Sequence, residues 1–203
     1  NVLLCGIINM IFVYLMSAEQ FRSFGNIFEL FSTHYLCVVT NLKRSVRVPL
    51  LVRTIFMIAI GSDHAGYELK RDVIDYLEEK GIDYAEYGCM DGIACDYPLV
   101  AKETCELVTK GEATLAILIC GTGIGISMAA NKIAGIRAAV CTDTYMAKFT
   151  RLHNNANVLC LGGRVIGAGA ALEIVDTFLN TSFEGSRHQR RIDLITAIEN
   201  DSL

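Results

Sequence analysis

The sequence predicts a doubly wound, Rossmann-like α/β domain, a parallel sheet with helices on both faces, preceded by an N-terminal extension. Three observations carry that prediction. From Met57 onward short apolar runs alternate with amphipathic segments; the apolar runs are continuous, as strands buried on both faces require; and polar or glycine-rich clusters recur just after them.

Taken in order, Met57–Gly61 reads as the first strand. Tyr67–Lys80 follows as a helix with Leu69, Val73, Ile74 and Leu77 on one face, and Gly81 closes it. Ile82–Tyr87 is the second strand, and Pro98 opens a helix that runs to about Thr109. Leu115–Cys120 is the third strand, Ile126–Lys132 the next helix and Ile136–Val140 the fourth strand. A helix at Thr144–Arg151, a strand at Val158–Leu161 and helices at Ala168–Leu179 and Ser186–Glu199 complete the domain. Ligands of such sheets bind beyond the carboxyl ends of the strands, so polar residues in those loops are the first candidates for chemistry.

Composition narrows the class. The chain has 203 residues, 52% of them hydrophobic, enough for one core and a modest extension. Residues 57–203 carry 13 Lys and Arg against 20 Asp and Glu, net −7, whereas residues 1–56 carry 5 against 2, net +3. An acidic domain is a poor partner for nucleic acid. The eight cysteines include no C-x-x-C pair and no Cys/His spacing of a zinc site. They read as buried thiols in a reducing cytosol, not as a disulfide framework.

Residues 1–56 differ from the rest in charge, in aromatic density and in lacking strand–helix alternation, and they read as a disordered or non-native extension. The apolar run from Val2 to Met16 is about 15 residues, short of the roughly 20 a spanning helix needs, and no basic residue precedes it as in a secretory signal. No membrane span is therefore expected, with a weak surface anchor through Lys43, Arg44, Arg47 and Arg53 as the alternative. Met57 is the natural start of the domain.

Four clusters are candidates for chemistry. After the first strand, Asp63 and His64 stand side by side; Asp63 suits a sugar hydroxyl and His64 a proton, although Asp63 would equally cap the helix that follows. The third strand ends at Cys120 and enters Gly121-Thr122-Gly123-Ile124-Gly125 before a helix, so backbone N–H groups turn toward an anion and favour a thiolate beside them. A dinucleotide fingerprint is broken there by Ile126, but Asp143 about 20 residues on keeps a nucleotide reading open. The segment ending in Arg151-Leu152-His153-Asn154-Asn155 offers His153 as acid/base and Asn154 as a donor to oxygen; the bland alternative is an exposed helix terminus. Finally, Arg187 and Arg191 at i, i+4 share a helix face and suit a phosphate, with Arg164 able to join them; a solvated basic face is the usual alternative, which the acidic surroundings disfavour.

Together the segments SDHAGYELK, CDYP, LAILICGTGIGISMAANKIAGIRAAVC, RLHNNANVLCLGGRVIG and FEGSRHQRRIDLITAIE resemble the ribose-5-phosphate isomerase B family over Met57 to about Asp201. The resemblance implies that Cys120 abstracts the proton, that His153 opens the sugar ring and that Asp63 and His64 bind substrate. It further implies that Gly121 through Gly125 hold the enediolate with Asn154, and that Arg187 and Arg191 bind phosphate in the active site of the other subunit. A homodimer with shared sites follows, with pairing into a tetramer left open. The expected reaction interconverts D-ribose 5-phosphate and D-ribulose 5-phosphate without metal or cofactor. Allose or galactose 6-phosphate isomerisation and a non-catalytic phosphosugar-binding module are the alternatives.

Overall fold

The computed structural model describes residues 57–203, so the reading of residues 1–56 lies outside the described part. Five strands, β1 (Ile58–Ser62), β2 (Tyr84–Gly88), β3 (Leu115–Cys120), β4 (Ala138–Val140) and β5 (Val158–Gly162), form one sheet in the order β2-β1-β3-β5-β4. Every pairing is parallel. Six helices join them: α1 (Tyr67–Glu79), α2 (Tyr97–Thr109), α3 (Ile124–Ala130), α4 (Thr144–Asn154), α5 (Ala168–Asn180) and α6 (Arg187–Glu199). Among the described residues no helix is long and apolar enough to cross a membrane.

Strand residues alternate between two cores. Ile58 and Ile60, Leu115, Ile117 and Ile119, and Leu159 and Leu161 pack with residues of α1 and α5. Ala59, Ala116, Leu118, Cys120, Val158 and Cys160 pack with residues of α2 and α3. Each fully buried Ile or Leu contributes roughly 1.5–3 kcal/mol. The α2 side carries the smaller strand residues because that helix approaches closely: a Cβ at Gly61 would lie 2.3 Å from Thr104 Oγ1 and 2.9 Å from Val100 Cγ1. The edge strands β2 and β4 are only half-buried, so continuous burial holds for the three central strands alone.

Element ends differ from expectation where local hydrogen bonds outrank apolar pattern. Ile82 N–H donates to Leu77 O at 2.9 Å and Ile136 N–H to Ile133 O at 3.1 Å, so both residues finish turns and β2 and β4 start later. Gly123, at φ +78°, is the N-cap of α3, which therefore begins at Ile124. Helix α4 continues past Arg151 to Asn154, placing His153 in its last turn.

A lysine lies in the interior. Lys70 of α1 is fully buried; its ammonium is 2.8 Å from Glu86 and donates to the carbonyls of Tyr87 and Cys89. A buried ammonium persists only when paired and hydrogen-bonded, and these acceptors all lie in β2 or the loop just after it. Lys70 thereby ties α1 to the start of the segment leading to α2.

Two outcomes test this packing. Gly61→Ala is expected to destabilise the domain by about 1–3 kcal/mol in urea denaturation, since α2 must shift to admit the methyl group; an unchanged midpoint would count against the close approach. Burial pushes the thiols of Cys105 and Cys141 up to about 12 and that of Cys160 well above its ordinary value. Iodoacetamide at neutral pH should leave these three unmodified in peptide mapping of the folded protein, whereas labelling of any of them at the rate of a free thiol would contradict the burial.

Candidate active site

Strand order places a crevice between the carboxyl ends of β1 and β3. From β1 the chain turns toward β2, and from β3 toward β4 and β5, so the two departing loops diverge there, where open α/β sheets take their ligands. Ser62 pairs with Ile119, and Asp63 N–H donates to Ile119 O at 3.2 Å, which sets Asp63 beside Cys120. Asp63 is buried and its Oδ1 accepts from Ala65 N–H at 2.9 Å and Gly66 N–H at 3.0 Å; His64 is exposed. These bonds close a turn ahead of α1 and do not cap the helix, whose N-cap is Gly66 with no side-chain hydrogen bond, so the capping role anticipated for Asp63 is not observed.

Cys120 is the last residue of β3 and is 5% exposed. Its Sγ accepts from Gly123 N–H at 3.2 Å, so the sulfur lies under the loop Gly121, Thr122, Gly123, Ile124 and Gly125. No side chain caps the start of α3. The loop rests on β5: a Cβ at Gly123 would sit 3.0 Å from Leu161 C, and Gly163 N–H and Arg164 N–H donate to Cys120 O at 2.8 Å and Gly121 O at 3.0 Å. Arg164 is exposed, and its side chain lies beside Gly121. Tyr97 covers Gly125, whose Cβ would meet its ring at 3.0–3.2 Å. Tyr97 enters the sequence reading only through its place in CDYP; the signal that could have found it is an aromatic immediately before the helix-opening Pro98.

The other candidates collect elsewhere. Helix α4 returns from β4 to the start of β5, and Asn155, its C-cap at φ 45°, accepts on its carbonyl from Arg137 Nε at 3.0 Å, just before β4. This is the amino edge of the sheet. Glu184 N–H donates to Leu152 O at 3.1 Å, bringing α6 against the end of α4, and Gly135 N–H donates to both carboxylate oxygens of Glu199 at 3.0 Å. Helix α6 is therefore pinned near both its ends along that edge, and β3, whose six residues make about five steps of ~3.3 Å, sets the two edges roughly 17 Å apart.

At the amino edge His153 stacks on His188, with centroids 4.0 Å apart and planes at 8°, and meets Phe149 edge-on at 4.9 Å. Glu184 Oε2 lies 3.7 Å from His153 Nε2 and 3.8 Å from His188 Nε2. Arg187 and Arg191 lie on either side of His188, and neither is ion-paired among the described residues. Asn154 is exposed, whereas Arg151 serves the fold, donating to Thr181 O, Asn155 Oδ1 and Ala156 O over the Phe178 ring.

His153, Glu184 and His188 offer three ligand atoms within 4.8 Å of one another. A metal lies in the plane of each imidazole that ligates it, and two stacked parallel planes share no such point, so the arrangement as it stands does not form a metal site. Asp143, the acid of the nucleotide reading, accepts from Met146 N–H at 2.8 Å as the N-cap of α4. One of its carboxylate oxygens thus has a structural role at the start of that helix.

Within one chain, then, the sheet separates the candidates into a carboxyl-edge group, Asp63, His64, Cys120 and the glycine loop, and an amino-edge group, His153, Asn154, Arg187 and Arg191. A family model described as Ribose/Galactose Isomerase matches residues 58–195. Ribose-5-phosphate isomerase B of Escherichia coli (strain K12) is 48% identical over 142 residues, covering 70% of this chain and 95% of the relative. The solved ribose-5-phosphate isomerase B of Clostridium thermocellum superposes with a TM-score of 0.71 at 49% identity, over 72% of this chain and 99% of that one. The enzyme of Mycoplasma genitalium with bound ribulose-5-phosphate gives 0.68 at 43% identity, over 72% and 97%. With this sheet, this site and these relatives, the chain belongs to the ribose/galactose isomerase family and is an isomerase.

Proposed function

We propose that the protein interconverts D-ribose 5-phosphate and D-ribulose 5-phosphate through an enediolate, as an aldose–ketose isomerase of the pentose phosphate pathway. The observation that carries the reading is the thiol of Cys120 beneath a glycine loop, at the crevice between β1 and β3. The substrate class is supported by the Escherichia coli and Clostridium thermocellum relatives and by the Mycoplasma genitalium complex. The unpaired thiols fit a reducing cytosol.

In this reading His153 moves the proton of the ring oxygen, opening the sugar. Cys120 as thiolate removes the C2 proton of the aldose; the electron pair forms the enediolate, and the thiol, whose proton exchanges with solvent, delivers a proton to C1 to give the ketose. Backbone N–H groups from Gly121 through Gly125 hold the developing oxyanion with Asn154, and Asp63 and His64 bind sugar hydroxyls. Arg187 and Arg191 grip the phosphate, supplying remote binding energy that fixes the reacting carbons near the sulfur; Arg164 is a further cation beside the loop.

A pentose phosphate cannot span the sheet, so the site is completed by a second copy, the α6 end of one subunit meeting the glycine loop of its partner. Exposed apolar side chains beside each half support that pairing: Leu99, Ile124 and Met128 near the loop, and Leu194, Ile195 and Ile198 on α6. A hexose 6-phosphate is the second reading, favoured by the breadth of the family description; coupled assays of ribose, allose and galactose phosphates separate the two.

Cys120→Ala is expected to lower isomerisation by about 10²–10⁴-fold and to stop deuterium uptake from heavy water into the sugar, while inorganic phosphate binds within about threefold of wild type. Turnover undiminished in that variant would refute the base assignment.

A further inference from the structure

His188 lies at the centre of the amino-edge cluster and has no task in the reaction so far. His188 is 2% exposed, and an imidazole is buried at a desolvation cost that its neighbours must offset. Arg187 Nε donates to His188 Nε2 at 3.2 Å, and Arg191 Nη1 is 3.4 Å from Nδ1. The ring face carries His153 at 4.0 Å, and Glu184 Oε2 stands 3.8 Å from Nε2. These are the charged and titratable groups that face it, from α6, from α4 and from the segment before α6.

A neutral imidazole has one lone-pair nitrogen and one N–H. With Nε2 accepting from Arg187, the proton sits on Nδ1 and points at Arg191, which finds no acceptor there. One guanidinium is oriented by the ring and the other keeps its donors for an anion. A protonated ring would present N–H groups to both arginines and lose the bond to Arg187. Burial first, then the charges of His153, Arg187 and Arg191, hold the His188 pKa below its ordinary value against the pull of Glu184, which keeps the ring neutral.

We propose that His188 is a positioning residue for the isomerisation: through one buried ring it aims Arg187 at the phosphate and holds the His153 imidazole in place for ring opening. This deepens the isomerase reading and rests on it. Any flat ring would serve if His188 only filled space; the hydrogen bond to Arg187 requires a nitrogen, and the stack on His153 requires a ring.

The test separates these requirements in the full chain. His188→Phe keeps a ring and has no acceptor, and His188→Gln keeps an acceptor near the position of Nε2 and has no ring. Wild type and both variants are compared in melting temperature, calorimetric binding of inorganic phosphate, and KM and kcat for ribose 5-phosphate. His188→Phe should weaken phosphate binding and raise KM by about tenfold or more with kcat within about threefold, whereas His188→Gln should lower kcat by about tenfold with KM and phosphate affinity within about threefold. The same pattern of change in both variants, or no change in either, overturns the proposal. If wild type isomerises no sugar phosphate, the isomerase reading is what has failed, and phosphate calorimetry still decides whether the acceptor organises Arg187. Should His188→Phe show no melting transition, an unchanged kcat or a lost phosphate affinity in His188→Gln is sufficient to refute it.

Discussion

Six buried residues of β3 hold the Cys120 thiol at one edge of the sheet, and the returning helix α4 carries His153 to the other. Both placements follow from parallel pairing, because a parallel strand can be followed by another only after the chain has crossed back along its length. The separation of roughly 17 Å cannot relax without dismantling the central strands, whose side chains are packed on both faces. That rigidity keeps the two groups of candidate residues of one chain at opposite edges of the sheet.

The two halves differ in how they are built. At the carboxyl edge the chemistry is made by backbone: a left-handed Gly123, a loop bonded to the residues after β5, and a thiol accepting a main-chain N–H. At the amino edge the group consists of side chains: two imidazoles in a stack, a carboxylate beside both Nε2 atoms, and two guanidinium groups without counter-ions among the described residues. Arginines without ion pairs among the described residues concentrate positive potential in an acidic domain, and under the proposed function a second copy would bring that potential to the amide-lined loop.

Much of this was legible in the sequence. Continuous apolar runs identify β1, β3 and β5, since strands covered on both faces show no alternation, and the fold class followed from their spacing. The candidate residues at both edges were also picked out in the sequence, from glycines that follow a strand and from arginines at i, i+4 in acidic surroundings, where a solvated basic face is otherwise the usual reading. Their distribution over two edges was not legible from periodicity or spacing, which carry no strand order; only the resemblance to a family implied it, and only for the arginines. Helix α4 reads as ending at Arg151 because a polar cluster follows Leu152, yet it runs on to Asn154, with Leu152 O accepting from Glu184 N–H and the His153 ring stacked on His188 of α6. His188 was visible as one letter in a basic run, and nothing in the order of residues distinguishes a buried imidazole between two arginines from a solvated one.

Subunit complementation tests the central claim most directly. Chains carrying Cys120→Ala and His153→Ala are purified, mixed under conditions that exchange subunits, and assayed for ribose 5-phosphate isomerisation. If the two edges of different chains form one site, a mixed dimer regains one intact Cys120 and His153 pair, and activity rises well above that of either variant alone, toward about half of wild type per mixed dimer. Mixed dimers verified by mass that stay as inactive as their parents would show that the site does not combine opposite edges of two chains, and the account would be wrong.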